Sequence, residues 1–172
     1  MNAASRTKAT GAAGATGAKP GVKLCLVASS GGHIEELMQL GVLRERYDHF
    51  LMTPRTKWTE RIEGRKHFIH DIDRSGRLIR LVTLARVFLE QIPIFLKERP
   101  NVVVTTGAVV ALPICLYVKL FGGRVVFIES IARVNTASRT GRIIGRFADL
   151  FLVQWREQLD CYPNATYAGW IY

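Results

Sequence analysis

Short runs that are apolar throughout alternate along this chain with longer segments whose apolar positions recur every three to four residues. The runs at 22–28, 49–53, 67–72, 102–106, 124–128 and 150–154 predict strands, and β-branched residues dominate 102–106. Helical spacing fills 33–46, 76–97, 108–121 and 138–147 between them. Strands apolar on both faces and separated by helices predict a parallel sheet covered on each side. The expected class is therefore α/β, a Rossmann-like doubly wound domain. A length of 172 residues suits one such domain, expected over 21–172, with no internal repeat and no second domain.

Two segments are apolar enough to compare with membrane spans. Residues 102–118 carry no charge, but Thr105-Thr106-Gly107 interrupts them and Pro113 lies inside. A buried strand, a glycine turn and a core helix fit better than a span of about twenty residues. In the helix expected at 76–97, Leu78, Leu81, Val82, Leu84, Ala85, Phe88, Leu89, Ile92, Phe95 and Leu96 share one broad face. Arg80, Arg86, Glu90 and Lys97 lie opposite, where Ile79, Val87 and Ile94 intrude. That charged stripe rules against a span. It fits sideways insertion into an anionic membrane face, led by Arg74, Arg77 and Arg80, and equally a core-packed helix with ordinary surface arginines. Pro93 is expected to kink it in either setting.

A formal charge of +10 points to an anionic partner: nucleic acid, a phospholipid surface or a phosphorylated substrate. The chain has no helix-turn-helix, no aromatic RNA-stacking motif and no zinc-ligand spacing, which sets nucleic acid aside. Cys25, Cys115 and Cys161 are odd in number and far apart, forming neither a disulfide framework nor a metal site. A reducing cytosol and no metal are expected. Residues 1–20 are rich in Ala, Gly, Thr and Lys, lack the apolar core of a signal peptide, and read as a flexible basic tail.

Three stretches carry candidate chemistry. Ser29-Ser30-Gly31-Gly32-His33 closes the first strand and opens a helix, a geometry that offers backbone N–H groups to phosphate. The same residues also fit a serine-capped turn with His33 merely wetted. Thr105-Thr106-Gly107 repeats the theme after the fourth strand, and in the usual order the first and fourth strands flank one crevice. Glu129 ends the next strand, either facing that crevice or simply paired with Arg133. Between 130 and 148 stand Arg133, Arg139, Arg142 and Arg146 with no acid, suited to gripping phosphates or to a solvated helix face.

Taken in order, Ser30-Gly31-Gly32-His33, Thr105-Thr106-Gly107 with Pro113, Ile128-Glu129-Ser130 with Ala132-Arg133-Val134, Ser138 with Thr140-Gly141, Val153-Gln154-Trp155, and Tyr162-Pro163 with Ala165, Tyr167 and Gly169 resemble the Alg14 family and its bacterial PssD-like relatives. The likeness spans 22–172. It implies a fold equivalent to the N-terminal half of a GT-B glycosyltransferase such as MurG. The nucleotide-sugar half would be a separate Alg13-like or PssE-like chain. Such a subunit binds the acceptor and recruits its partner to the membrane. The reaction implied is transfer from a UDP-sugar, of N-acetylglucosamine type, to a polyprenyl-diphosphate-linked saccharide in capsule, exopolysaccharide or lipid-linked oligosaccharide synthesis, with no cofactor.

The resemblance further implies a diphosphate held by Ser29, Ser30, Gly31 and Gly32 with Arg133 or Arg139, and acceptor contacts from Thr105, Thr106, Gly107 and Ser138. His33 or Glu129 would be the base. Trp155, Trp170, Ile171 and Tyr172 would meet the partner, although 169–172 could instead complete the domain's own sheet. Eukaryotic members carry an N-terminal membrane helix. The polar tail here points to peripheral attachment at the cytoplasmic face of an anionic membrane and to a bacterial polysaccharide enzyme. The competing reading is an NAD(P)-binding Rossmann oxidoreductase. Against it, the first loop lacks Gly-x-Gly-x-x-Gly and no acid ends the second strand.

Overall fold

The computed structural model describes residues 21–72 and 75–171; the tail expected at 1–20, Arg74 and Tyr172 lie outside the described residues. The strands are β1 (Lys23–Val27), β2 (Asp48–Pro54), β3 (Lys66–Ile69), β4 (Val102–Thr105), β5 (Arg124–Ile128), β6 (Leu150–Val153) and β7 (Thr166–Tyr167). They form one sheet in the order β3-β2-β1-β4-β5-β6-β7, and every neighbouring pair is parallel. Strand order reverses between β1 and β4, which opens a crevice at their carboxyl ends. The expected doubly wound α/β fold is the observed one.

Side chains alternate across the sheet with the two-residue period of a strand. Cys25 and Val27 of β1 join Phe50, Val103 and Phe127 in a core covered by α3 (Arg77–Glu98), α4 (Leu112–Leu120) and α5 (Arg139–Ile144). Leu24 and Leu26 face the other way, where α1 (Gly32–Met38) contributes Ile34 and Leu37. Between β4 and α4, 102–120 resolves into a strand, a 3-10 turn and a core helix, as its pattern predicts. Among the described residues no helix is long and apolar enough to cross a membrane.

Three elements differ from expectation. The helix predicted over 33–46 is two, α1 and α2 (Gly41–Arg46), because Leu40 leaves helical geometry at ψ 50 and turns its side chain into the same core as Leu37. The helix predicted over 138–147 begins later, since Ser138 caps it, its hydroxyl accepting from the Gly141 N–H. β7 has only two residues, both exposed, and so leaves no apolar run to read.

The third helix buries a different stripe from the one its pattern suggests. Val87, Gln91, Phe95 and Glu98 face the domain, and Val87 is one of the residues that had seemed to intrude on the polar side. Leu78, Leu81, Val82, Leu89 and Leu96 are all more than half exposed. Glu90 fixes the level of the helix against the sheet. Its carboxylate accepts from the His70 N–H at 2.8 Å and pairs with His70 Nδ1 at 2.6 Å, one residue past the end of β3. The turns of α3 from Arg77 to Arg86 are exposed or half-buried, and full burial begins at Val87.

At the opposite end, Glu98 is buried and surrounded by His67 Nε2 at 2.9 Å, Lys23 Nζ at 3.3 Å and Arg65 Nη1 at 3.5 Å. Burial pushes this carboxyl up, but His67, Arg65 and Lys23 outweigh it and hold it below the usual range. A lowered native pKa makes its stabilisation complete above the ordinary carboxylate range, to be lost as pH falls through the lowered value. Glu98→Gln should thus cost about 1–3 kcal/mol at neutral pH. The gap from the parent should close in acid, which urea unfolding at both conditions would measure.

Candidate functional site

The loop after β1 turns on Gly31, whose φ of 89° places it in the left-handed region open to glycine. Its carbonyl accepts from Ile34 and Glu35, which starts α1. Among the described residues the N–H groups of Gly32 and His33 have no acceptor, and the two glycines are exposed. Ser29 and Ser30 stand half-buried beside them.

The loop after β4 closes against this one. Gly107, at φ 119°, lies so near His33 that an added Cβ would sit 3.1 Å from its Cε1. Thr106 donates its hydroxyl to the His33 carbonyl at 2.6 Å. Thr105 donates to the Gly107 carbonyl at 3.1 Å and accepts from its N–H at 3.2 Å. Both threonine hydroxyls are therefore spent inside the protein, and the two side chains are fully buried. They shape the rim, with no hydroxyl turned to a ligand. Of the His33 ring nitrogens, Nδ1 is closed off from solvent with no partner, which leaves Nε2 as the one open to the crevice.

The stretch after β5 completes the rim. Ser130 donates to Glu36 of α1 at 2.7 Å, and the Ile131 N–H reaches the same oxygen at 3.1 Å. Glu129 turns inward and is 1 % exposed. One oxygen accepts from Tyr162 at 2.5 Å, from the Ser138 hydroxyl at 2.8 Å and from the Ser138 N–H at 3.4 Å; the other takes the Ser130 N–H at 3.2 Å. Burial, and then the hydrogen bond to Glu129, push the Tyr162 hydroxyl up to about 12. Glu129 makes no pair with Arg133, whose guanidinium reaches Thr136 at 3.3 Å. Among the described residues Arg133, Arg139, Arg142 and Arg146 form no ion pair and are exposed.

Residues 29–33, 105–107 and 129–133 thus meet at one rim, with Ser138 and Arg139 joined to it through Glu129. Three contributors had no assigned role beforehand. Glu36 sits one turn after His33 on α1, a spacing that puts both on one helix face. Tyr162 and Gln154 lie inside motifs that were legible, but their bonding depends on strands far apart in sequence. Of the C-terminal residues, Trp170 is 70 % exposed, whereas Trp155 is half-buried and donates its indole N–H to Ile131. No cluster of His, Cys, Asp and Glu among the described residues could hold a metal ion.

This sheet order, with its crevice at the reversal point, defines the class: a Rossmann-like doubly wound domain. MurG of Acinetobacter baumannii matches with a TM-score of 0.60 at 18 % identity, over 79 % of this chain and 42 % of MurG. The UDP-GlcNAc 2-epimerase of Methanocaldococcus jannaschii gives a TM-score of 0.62 at 14 % identity, over 81 % of this chain and 41 % of the epimerase. The chain spans about two fifths of each. Residues 60–171 match the family described as "Oligosaccharide biosynthesis protein Alg14 like", and the chain belongs to that family. A mouse relative, named UDP-N-acetylglucosamine transferase subunit ALG14, is 30 % identical over 86 % of this chain and 82 % of its own length. The protein of the same name from Yarrowia lipolytica is 34 % identical over 52 % of this chain and 44 % of its own. The oxidoreductase alternative finds no support, and β2 ends at Thr53 and Pro54 without an acid.

Gly141 lies in the first turn of α5 against Tyr162, Glu129 and Ser138. An added Cβ would fall 2.6 Å from the Glu129 carboxylate and 2.9 Å from the Ser138 hydroxyl. An exposed helical Gly→Ala change stabilises by up to about 1 kcal/mol. Gly141→Ala should instead destabilise by about 1–3 kcal/mol through overpacking. Thermal unfolding would measure it, and a neutral result would mean that α5 is not clamped on this cluster.

Proposed function

We propose that the chain is the acceptor-binding, membrane-recruited subunit of a two-chain glycosyltransferase. In this reading it transfers N-acetylglucosamine from its UDP derivative to a polyprenyl-diphosphate-linked saccharide. The observation that carries the reading is the single rim where open N–H groups, a histidine and unpaired arginines converge, in a chain whose curated relatives are named as transferase subunits. An Alg13-like or PssE-like chain supplies the nucleotide-sugar half.

The diphosphate lies against Ser29, Ser30 and the N–H groups of Gly32 and His33, and Arg133 and Arg139 balance its charge. The acceptor hydroxyl oxygen attacks the anomeric carbon of the UDP-sugar. The new carbon–oxygen bond forms as the bond to UDP breaks, and UDP leaves with the electron pair. His33 Nε2 takes the hydroxyl proton. A base needs a free lone pair facing the acceptor, and Glu129 has its oxygens engaged within the protein, so its role is to position α5 and Tyr162. Thr105, Thr106, Gly107 and Ser138 support the rim from beneath. Exposed Trp170 meets the partner, with Trp155 behind it and Ile171 packed on the domain's own sheet.

The exposed face of α3 is the membrane contact. Leu78, Leu81, Val82 and Leu89 enter the lipid boundary at the rim, while Arg77, Arg80 and Arg86 meet anionic headgroups at the cytoplasmic face. A lipid-borne acceptor is then delivered beside the crevice. Lateral placement makes α3 a surface anchor that never crosses the bilayer.

Reconstitution tests the reading: this chain, its nucleotide-sugar-binding partner, radiolabelled UDP-N-acetylglucosamine and a polyprenyl-diphosphate saccharide in vesicles. Transfer should need both chains, and turnover by this chain alone would overturn the two-subunit arrangement. His33→Ala should lower kcat roughly 10²- to 10⁴-fold with little change in KM for the donor. Full activity in that variant removes the base assignment. The double change Leu81→Asp with Leu89→Asp should reduce binding to phosphatidylglycerol vesicles at least ~10-fold while leaving circular dichroism unchanged. Undiminished vesicle binding would exclude α3 as the anchor.

A further inference from the structure

The segment 169–171 is tied to the β5–α5 loop by two residues that the proposed chemistry does not use. Gln154 is 1 % exposed, and its carboxamide bridges two distant backbone groups. Nε2 donates to the Glu129 carbonyl at 3.0 Å, while Oε1 accepts the Ile171 N–H at 3.3 Å. Next to it, the Trp155 indole donates to the Ile131 carbonyl at 2.7 Å. That indole meets the Trp170 ring in an edge-to-face contact, with ring centroids 6.0 Å apart. Gly169, at φ 69°, makes the turn that brings Trp170 and Ile171 back to this place. Ile171 then packs on the sheet face that carries Ile128 and Leu152.

On the other side of the loop, Ile131 and Ser130 are bonded to Glu36 in α1, one turn from His33. The loop that bears Arg133 is thus held between α1 and the C-terminal segment. We propose that Gln154 and Trp155 are positioning residues that make the placement of residues 129–133 depend on the seating of Trp170 and Ile171. Where the second subunit covers the exposed Trp170, it also sets the loop that grips the acceptor diphosphate. This consequence for the acceptor rests on the reading given under Proposed function; the coupling of the segment to the loop does not.

The test uses the full chain, a variant ending at Gly169, Trp155→Phe, and the two changes combined. Trp155→Phe keeps an aromatic ring beside Trp170 and removes the N–H donor together with part of the indole surface. Amide hydrogen exchange at residues 130–133 is the first readout, with β1 and β4 as internal controls. One lost hydrogen bond corresponds to a rise in exchange of roughly 3- to 10-fold. Each single change should give that rise at 130–133 and none in the control strands. The combined variant should fall short of the product of the two single rises, because Trp170 acts through Trp155 while Ile171 acts separately through Gln154. Unchanged exchange in the loop, or effects that multiply as independent ones would, overturns the proposal. Binding of farnesyl diphosphate is the second readout, expected to weaken by a similar factor in each variant. If the parent chain binds no farnesyl diphosphate while loop exchange responds as stated, the coupling stands and the acceptor reading falls.

Discussion

Burying a carboxyl group obliges the chain to bring donors to one point, because an unsatisfied polar group in the interior costs several kcal/mol. Glu129 imposes that requirement at the end of β5. Its side chain gathers the Ser138 hydroxyl and N–H, the Tyr162 hydroxyl and the Ser130 N–H, and its carbonyl takes Gln154. Those partners come from the capping residue of α5, the loop before β7, the end of β6 and the loop that carries Arg133. Glu129, through its side chain and its carbonyl, thereby ties four segments to one point. The lack of space for a Cβ at Gly141 is the same requirement seen from α5.

The same satisfaction rule explains why the rim is rigid where it meets its own chain and open where it faces outward. Thr105 and Thr106 close their hydroxyls on the backbone, and Ser130 closes its hydroxyl on Glu36. What is left open is the set of groups that phosphate favours: exposed N–H groups at Gly32 and His33 and guanidinium groups without carboxylates. Positive charge gathered beside unpaired donors strengthens both, since each acts on an anion at short range. The division between spent and open groups separates supporting residues from those available for contact.

Periodicity and punctuation made most of the sheet legible, because a strand buried on both faces leaves an uninterrupted apolar run and glycine with hydroxyl residues marks its end. The reversal between β1 and β4 followed from the same alternation, so the meeting of residues 29–33 with 105–107 could be anticipated. What stayed hidden has a common physical character. The inward turn of Glu129, the support from Glu36 and the bridge through Gln154 are polar contacts across |i−j| of 9 to 95 residues, to which local pattern is blind. Leu40 broke an amphipathic stretch for the sake of burial, and β7 pairs through backbone alone.

The third helix is the instructive case, because its pattern was visible and its orientation was not. A stripe of leucines ordinarily marks the side of a helix that meets the core. Here the core side instead carries Gln91, whose amide donates to the Val110 carbonyl at 2.8 Å, and Glu98, held by Lys23, Arg65 and His67. Polar residues can occupy the inner face because each is matched to a partner, so the outer face does not need them. The leucines outside gain nothing in water, and their exposure is a standing cost unless something apolar covers them. The helix spends matched polar groups inward and leaves apolar ones outward along its first turns. The lipid boundary proposed for α3 would meet both halves of that arrangement, since Arg77, Arg80 and Arg86 lie along the same exposed turns.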